Sequence, residues 1–153
     1  MTATVEDWWR DQIPDGEKIL WFGRPDQGFF PPRYGWAYVA GFLGLIVLWL
    51  SSPWLFDTVR EFWKLTCVTL LIAFALWADR FVRAQRVYVV TTQNARIINE
   101  IFKPKILKID KSLKYFFSRR RLTFSRGLFF SFDHLSDPDA ALKALNQARE
   151  AST

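Results

Sequence analysis

From Tyr34 to Phe56 the chain runs for 23 residues without a charged side chain. A helix rises about 1.5 Å per residue, so roughly 20 apolar residues cover the hydrocarbon core of a bilayer. Trp36 and Trp54 stand near the two ends of the run, where amphipathic rings favour the headgroup level. Pro53 falls in the last turn, where the loss of one backbone donor costs least. The run predicts a transmembrane helix over residues 34–56.

A second apolar run is shorter. Leu65–Ala78 holds 14 uncharged residues, a length that also suits a core helix or a re-entrant segment. Extended to 62–82 it reads as a second span, with Lys64 snorkelling at one end and Asp79 and Arg80 at the other. Trp63 and Trp77 bracket its apolar centre, and the connection 57–64 suits an antiparallel pair. Residues 1–33 carry six acids and four bases, with no short apolar core before a small-residue cleavage site, so a cleavable signal is not expected. Net charge is −2 over 1–33, zero over 57–64 and +8 over 79–153. Arg80, Arg83 and Arg86 follow the second span directly, where Lys and Arg hold a segment on the cytoplasmic side. Both termini are expected in the cytoplasm, with 1–33 as an N-terminal segment and 34–86 as the hairpin.

Ala37, Ala40, Gly41 and Gly44 recur at i, i+3, i+4 and i+7 and form one small-residue stripe on the first span. Such stripes let helix backbones approach closely in lipid. Thr66, Thr69 and Ala73 are the counterpart on the second span. The favoured expectation is that the stripes close the protein's own hairpin; the alternative is docking of a foreign transmembrane helix.

After Arg86 the texture becomes β-rich. Val87–Thr91, Arg96–Ile101, Lys105–Ile109, Lys114–Ser118, Arg121–Phe124 and Leu128–Phe132 read as strands, with turns at 92–95 and Gly127. A C-terminal helix is announced by Asp137 as N-cap, Pro138 at the first helical position, and an apolar stripe of Leu142, Leu145 and Ala148. Val5–Ile13 reads as a short helix whose Trp8 and Trp9 cover the β domain or lie at an interface. Its acids favour packing on protein. The whole is an α+β membrane protein, with a β domain over 87–153.

Three stretches resemble a bacterial membrane protein with a pleckstrin-homology-like (PH-like) domain. Asp15–Pro25 is similar to the family's leading "GE-x-x-L-W-x-G-x-P" segment. Tyr88–Ile98 is similar to its "Y-x-L-T-x-x-R" first hairpin, and Gly127–Phe132 with Asp137-Pro138 resembles its last strand and closing helix. The resemblance implies a bent β-sandwich or barrel with a C-terminal capping helix. It also implies a binding or scaffolding module, and an accessory role towards a membrane energy-conversion complex. Lipid-binding pleckstrin-homology domains cluster bases around the first hairpin. Here Thr92-Gln93-Asn94-Ala95 is neutral and Arg96 is the only base, so no phosphoinositide pocket is carried over.

Chemistry has few carriers in the sequence. One Cys allows no internal disulfide, and one His excludes a His-rich metal site. Nucleotide-loop and nucleophile-elbow motifs are missing from the sequence, so no catalytic residue, cofactor or metal is expected. His134 reads as an ordinary loop residue and Cys67 as an inert packing residue. Positive charge does have content. Lys103, Lys105, Lys108, Lys111 and Lys114 recur at near-threes, followed by Arg119, Arg120, Arg121 and Arg126. In a chain tied to a membrane the nearest polyanion is anionic phospholipid, not nucleic acid. The expected function is a non-catalytic inner-membrane accessory, scaffold or assembly protein that binds an integral membrane protein complex. A peripheral anionic-lipid module acting through 103–126 is the alternative.

Overall fold

The computed structural model describes residues 8–30, 35–126 and 130–152. The chain divides into two units: Gln27–Val82, and Met1–Asp26 together with Arg83–Thr153.

The first unit is a pair of helices, α1 (Gly35–Leu55) and α2 (Val59–Ala84). Their 21 and 26 residues correspond to about 32 and 39 Å at 1.5 Å per residue. Both are long and apolar enough to cross a membrane. No residue of α1 is buried by the rest of the chain. The connection is shorter than expected, because α2 begins at Val59 rather than Phe62. Arg60, Glu61 and Lys64 end the apolar window but not the helix. Glu61 lies in the first turn, where an acid complements the helix dipole, and the Thr58 carbonyl accepts from Glu61 N and Phe62 N.

The second unit is built on two antiparallel sheets. The first has the order β1-β2-β3-β4, from Ile19–Gly23, Arg86–Thr91, Asn94–Asn99 and Lys105–Lys108. The second has the order β5-β6-β7, from Tyr115–Ser118, Arg121–Phe124 and Ser131–Phe132. Helix α3 (Pro138–Ala151) completes it. Five of the six strands expected after Arg86 stand within one or two residues of their expected bounds. Of the last, Ser131–Phe132 form a strand, and residues 127–129, with the Gly127 turn, lie outside the described residues.

The N-terminal segment, expected to pack on protein but placed outside the β domain over 87–153, also supplies a strand: β1 pairs with β2 through Ile19↔Thr91, Trp21↔Val90, Phe22↔Val89 and Gly23↔Tyr88. The β unit therefore begins before α1, not after α2. Of the short helix expected over Val5–Ile13, the described part is a single 3-10 turn, Arg10–Gln12.

Strand β2 explains why both faces of the first sheet are covered. Tyr88 and Val90 face a core shared with Leu122, Phe124, Phe130 and Phe132 of the second sheet and its flank, and with Leu145 of α3. Val87 and Val89 face the other way and pack with Ile98 and Trp9, which is 1% exposed. A strand covered on both sides reads as a continuous apolar run, as Val87–Val90 does. Helix α3 lies on the core through Ala141, Ala144, Leu145 and Ala148. Asp137 Oδ1 accepts from Ala140 N at 3.0 Å, which satisfies one of the orphan donors of the first turn. Asp137→Ala is expected to destabilise the β unit by about 1 kcal/mol in denaturant unfolding, the usual loss for such a cap.

Candidate functional site

The helix pair does not close through small residues. Trp49 Nε1 donates to Thr69 Oγ1 at 3.0 Å, and the Trp49 ring meets Phe62 edge-on at 5.5 Å. Leu65 is buried in the same contact region. The contacts between the helices thus run through large side chains. Ala37, Ala40, Gly41 and Gly44 are all exposed. Nothing outside the helix's own backbone lies within 4 Å of where a Cβ on Gly41 or Gly44 would stand. The expectation that this stripe closes the hairpin is corrected: Trp49, the α1 residue that bonds to Thr69, lies at least about 80° round the helix from every residue of the stripe at 100° per residue. Cys67 is exposed on α2.

The two longer motifs of the resemblance meet in space. Glu17 Oε1 accepts from Arg96 Nη2 at 2.6 Å and from Asn94 Nδ2 at 2.7 Å, while Oε2 accepts from Thr91 Oγ1 at 2.6 Å. Side-chain exposure is 6% for Arg96 and 7% for Glu17. Burial pushes the Glu17 carboxyl up, but hydrogen bonds from Arg96, Thr91 and Asn94 and the Arg96 charge outweigh it. The net result is a carboxyl below its ordinary value. Trp21 stacks on Phe132 at 6.4 Å, and its ring passes over Gly23 so closely that a Cβ there would lie 2.5 Å away. Tyr88 Oη donates to the Asp133 carbonyl and accepts from Asp133 N, both at 3.0 Å. Desolvation raises the pKa of this phenol. Glu17, Trp21, Gly23, Tyr88 and Arg96 thus join the N-terminal segment to the sheet. The sequence motifs carry structure here.

The basic segment is spread over several elements. Lys105 and Lys108 lie on opposite faces of β4, Lys111 and Lys114 in the β4–β5 connection, and Arg119-Arg120 form the β5–β6 turn. Of the bases over 103–126 expected to bind an anionic partner, three already have acids. Arg121 Nε is 2.7 Å from Asp133 Oδ1, Arg120 Nη1 is 3.7 Å from Asp26 Oδ2, and Arg126 pairs with Asp110. The Ser112 hydroxyl first, and then Arg126, hold the Asp110 carboxyl below its ordinary value. Sequence spacing shows these charges but not their distant partners. His134 has φ 56°, and its carbonyl accepts from Asp26 N at 2.8 Å, so it serves the turn after β7.

The β5–β6 turn has its own cost. Ser118 pairs with Arg121, leaving a two-residue connection in which Arg119 has φ 40° and Arg120 φ 62°. Such turns favour Asn-Gly, because left-handed backbone crowds a Cβ. Replacing Arg119→Asn and Arg120→Gly together is expected to stabilise the β unit by about 1–2 kcal/mol in thermal or denaturant unfolding.

No protein-family model, curated protein or solved structure matches the chain.

Proposed function

We propose that the chain is a non-catalytic, two-span inner-membrane protein that acts as an accessory, scaffold or assembly subunit. It binds other membrane proteins through its helices and a PH-like β unit. The observation that carries this reading is the uncovered stripe of α1. Ala37, Ala40, Gly41 and Gly44 are exposed while the contact with α2 uses Trp49. A face that permits close backbone approach, and that its own partner leaves free, suits a foreign helix.

Four further features support it. Strand β1 precedes α1 and β2 follows α2, yet the two strands pair. That pairing suits a helix pair with both ends on one side of a membrane, as two crossings give. Little of either helix is buried by the chain itself, as suits lipid-facing rather than core helices. A net charge of +8 over residues 79–153 supports a cytoplasmic β unit. The sheets of four and three strands closed by a C-terminal helix support the PH-like reading.

The test is mild-detergent affinity purification of the full chain beside its Gly41→Leu/Gly44→Leu variant. A stoichiometric membrane protein partner should accompany the first and be lost from the second, with both inserted equally. If both are recovered alone, the reading fails. The β5–β6 turn favours a second reading, anionic-lipid binding: Phe116 is 70% exposed next to the strained Arg119-Arg120 pair. On that reading, Arg119→Ser/Arg120→Ser reduces the anionic lipid retained on purification.

A further inference from the structure

The inner face of the four-stranded sheet changes chemistry at one end. Strand register puts Arg86, Tyr88 and Val90 of β2 on one face with Ala95, Ile97 and Asn99 of β3 and Lys105 and Leu107 of β4. Tyr88, Val90 and Ala95 belong to the buried core, with Ile97 and Leu107 packed against it. Arg86, Asn99 and Lys105 continue the same alternation, in positions where the face should stay apolar. With Phe102 and Lys103 from the β3–β4 connection, and Ser131 and Asp133 opposite, they line a cavity of about 340 Å³. That is a small ligand pocket by size.

Its charge is unbalanced. Asp133 is already engaged, by Arg121 Nε at 2.7 Å and by the Ser131 hydroxyl, which donates to Oδ2 at 3.0 Å. Among the described residues none of Arg86, Lys103 and Lys105 is ion-paired with a carboxylate. Asn99 adds a directed donor. It is 7% exposed, and its Oδ1 accepts from Ile101 N at 2.9 Å and from Phe102 N at 3.3 Å. Those bonds fix the amide and leave its NH2 group without a protein partner among the described residues, in the cavity wall. An amide donor held in fixed orientation and three bases in one concavity match an anion with several acceptor oxygens.

We infer that this cavity binds a phosphate group, with Asn99 Nδ2 donating and Arg86, Lys103 and Lys105 supplying charge. Exposed Phe102 forms an apolar wall for the organic part of the ligand. The phosphate can belong to a phospholipid headgroup or to a free phosphate ester. This inference goes beyond the accessory-subunit reading and does not depend on it.

The full chain in neutral detergent is titrated with inorganic phosphate and with glycerol 3-phosphate by calorimetry. In parallel, phosphatidylglycerol and phosphatidylcholine adducts are counted by native mass spectrometry. Asn99→Asp is the decisive variant: it keeps the acceptor for Ile101 N and Phe102 N but replaces the donor with a negative charge. At least a tenfold loss of binding is expected in Asn99→Asp and in Lys103→Gln/Lys105→Gln. Lys18→Gln/Lys143→Gln removes the same charge elsewhere and should bind normally. Saturable binding of the soluble esters identifies a free phosphate. Binding confined to phosphatidylglycerol, with the same variant pattern, identifies a headgroup. No binding by either route, unchanged binding in Asn99→Asp, or an equal loss in the Lys18/Lys143 control overturns the proposal.

Discussion

Replacing Glu17 by Ala is expected to cost the β unit about 3–5 kcal/mol, because it strands the Arg96 guanidinium in a buried site. Hydrogen exchange over the amides of β2 and β3 reads this locally. Protection should fall by roughly two to four orders of magnitude, since about 1.4 kcal/mol is a factor of ten. Arg96→Met alone leaves the carboxylate buried instead. The double variant removes both charges and should cost less than the sum of the single changes. Simple additivity would mean that the pair does not act as a unit. The pH dependence has a definite sign. The native carboxyl lies below its ordinary value of 4.5, so its contribution is complete above that pH and is lost as pH falls through the lowered native value. Glu17→Gln carries no titrating carboxyl and should show a smaller acid-induced loss of stability over that window.

Phe132→Ala is the second large effect, at about 3–5 kcal/mol in denaturant unfolding of the full chain in detergent. Phe132 is fully buried, and four rings surround it: Tyr88 at 4.7 Å, Phe124 at 5.3 Å, Phe130 at 5.9 Å and Trp21 at 6.4 Å. They come from both sheets and from the segment before β7, so no single element can move in to fill the cavity. Phe116→Ala on the exposed side of β5 should change stability by no more than about 0.5 kcal/mol. Similar losses at the two positions would contradict the core described here.

Much of this architecture is legible in sequence, for local reasons. A charge-free run marks α1, β-branched residues mark β2 and β3, and an Asp-Pro pair marks the start of α3. Each signal lies within the element it predicts. Strand β1 escapes notice because its partner lies beyond both helices, and because a bulge between Ile19 and Trp21 breaks the two-residue alternation. Trp21 and Leu20 therefore both pack against the main core, while Ile19 packs on the opposite side with Trp9. The stripe on α1 was visible as small residues, but residue size does not say which face meets a neighbour; Trp49, Phe62 and Thr69 decide that. The basic segment is visible in sequence as charge, whereas the pairing of Arg120, Arg126 and Arg121 with Asp26, Asp110 and Asp133 is set by tertiary structure. Arg86 and Asn99 were missed as potential ligand-binding residues, because a polar residue at an inward position stands out only once the strand register is known.

The separation of β1 from β2 also has a consequence for biosynthesis. The roughly sixty residues between Gly23 and Arg86 take a ribosome about 3–12 s to add at 5–20 residues per second. For that interval β1 has been made and has nothing to pair with. On the two-span reading its partner reaches the same compartment only after both helices have been threaded. A nascent chain that inserted one helix and stalled would hold β1 and β2 on opposite sides of the bilayer, leaving the outer edge of β2 open although its other edge pairs with β3. The complete four-stranded sheet would then form only on molecules with both helices inserted, making its completion a checkpoint on membrane topology.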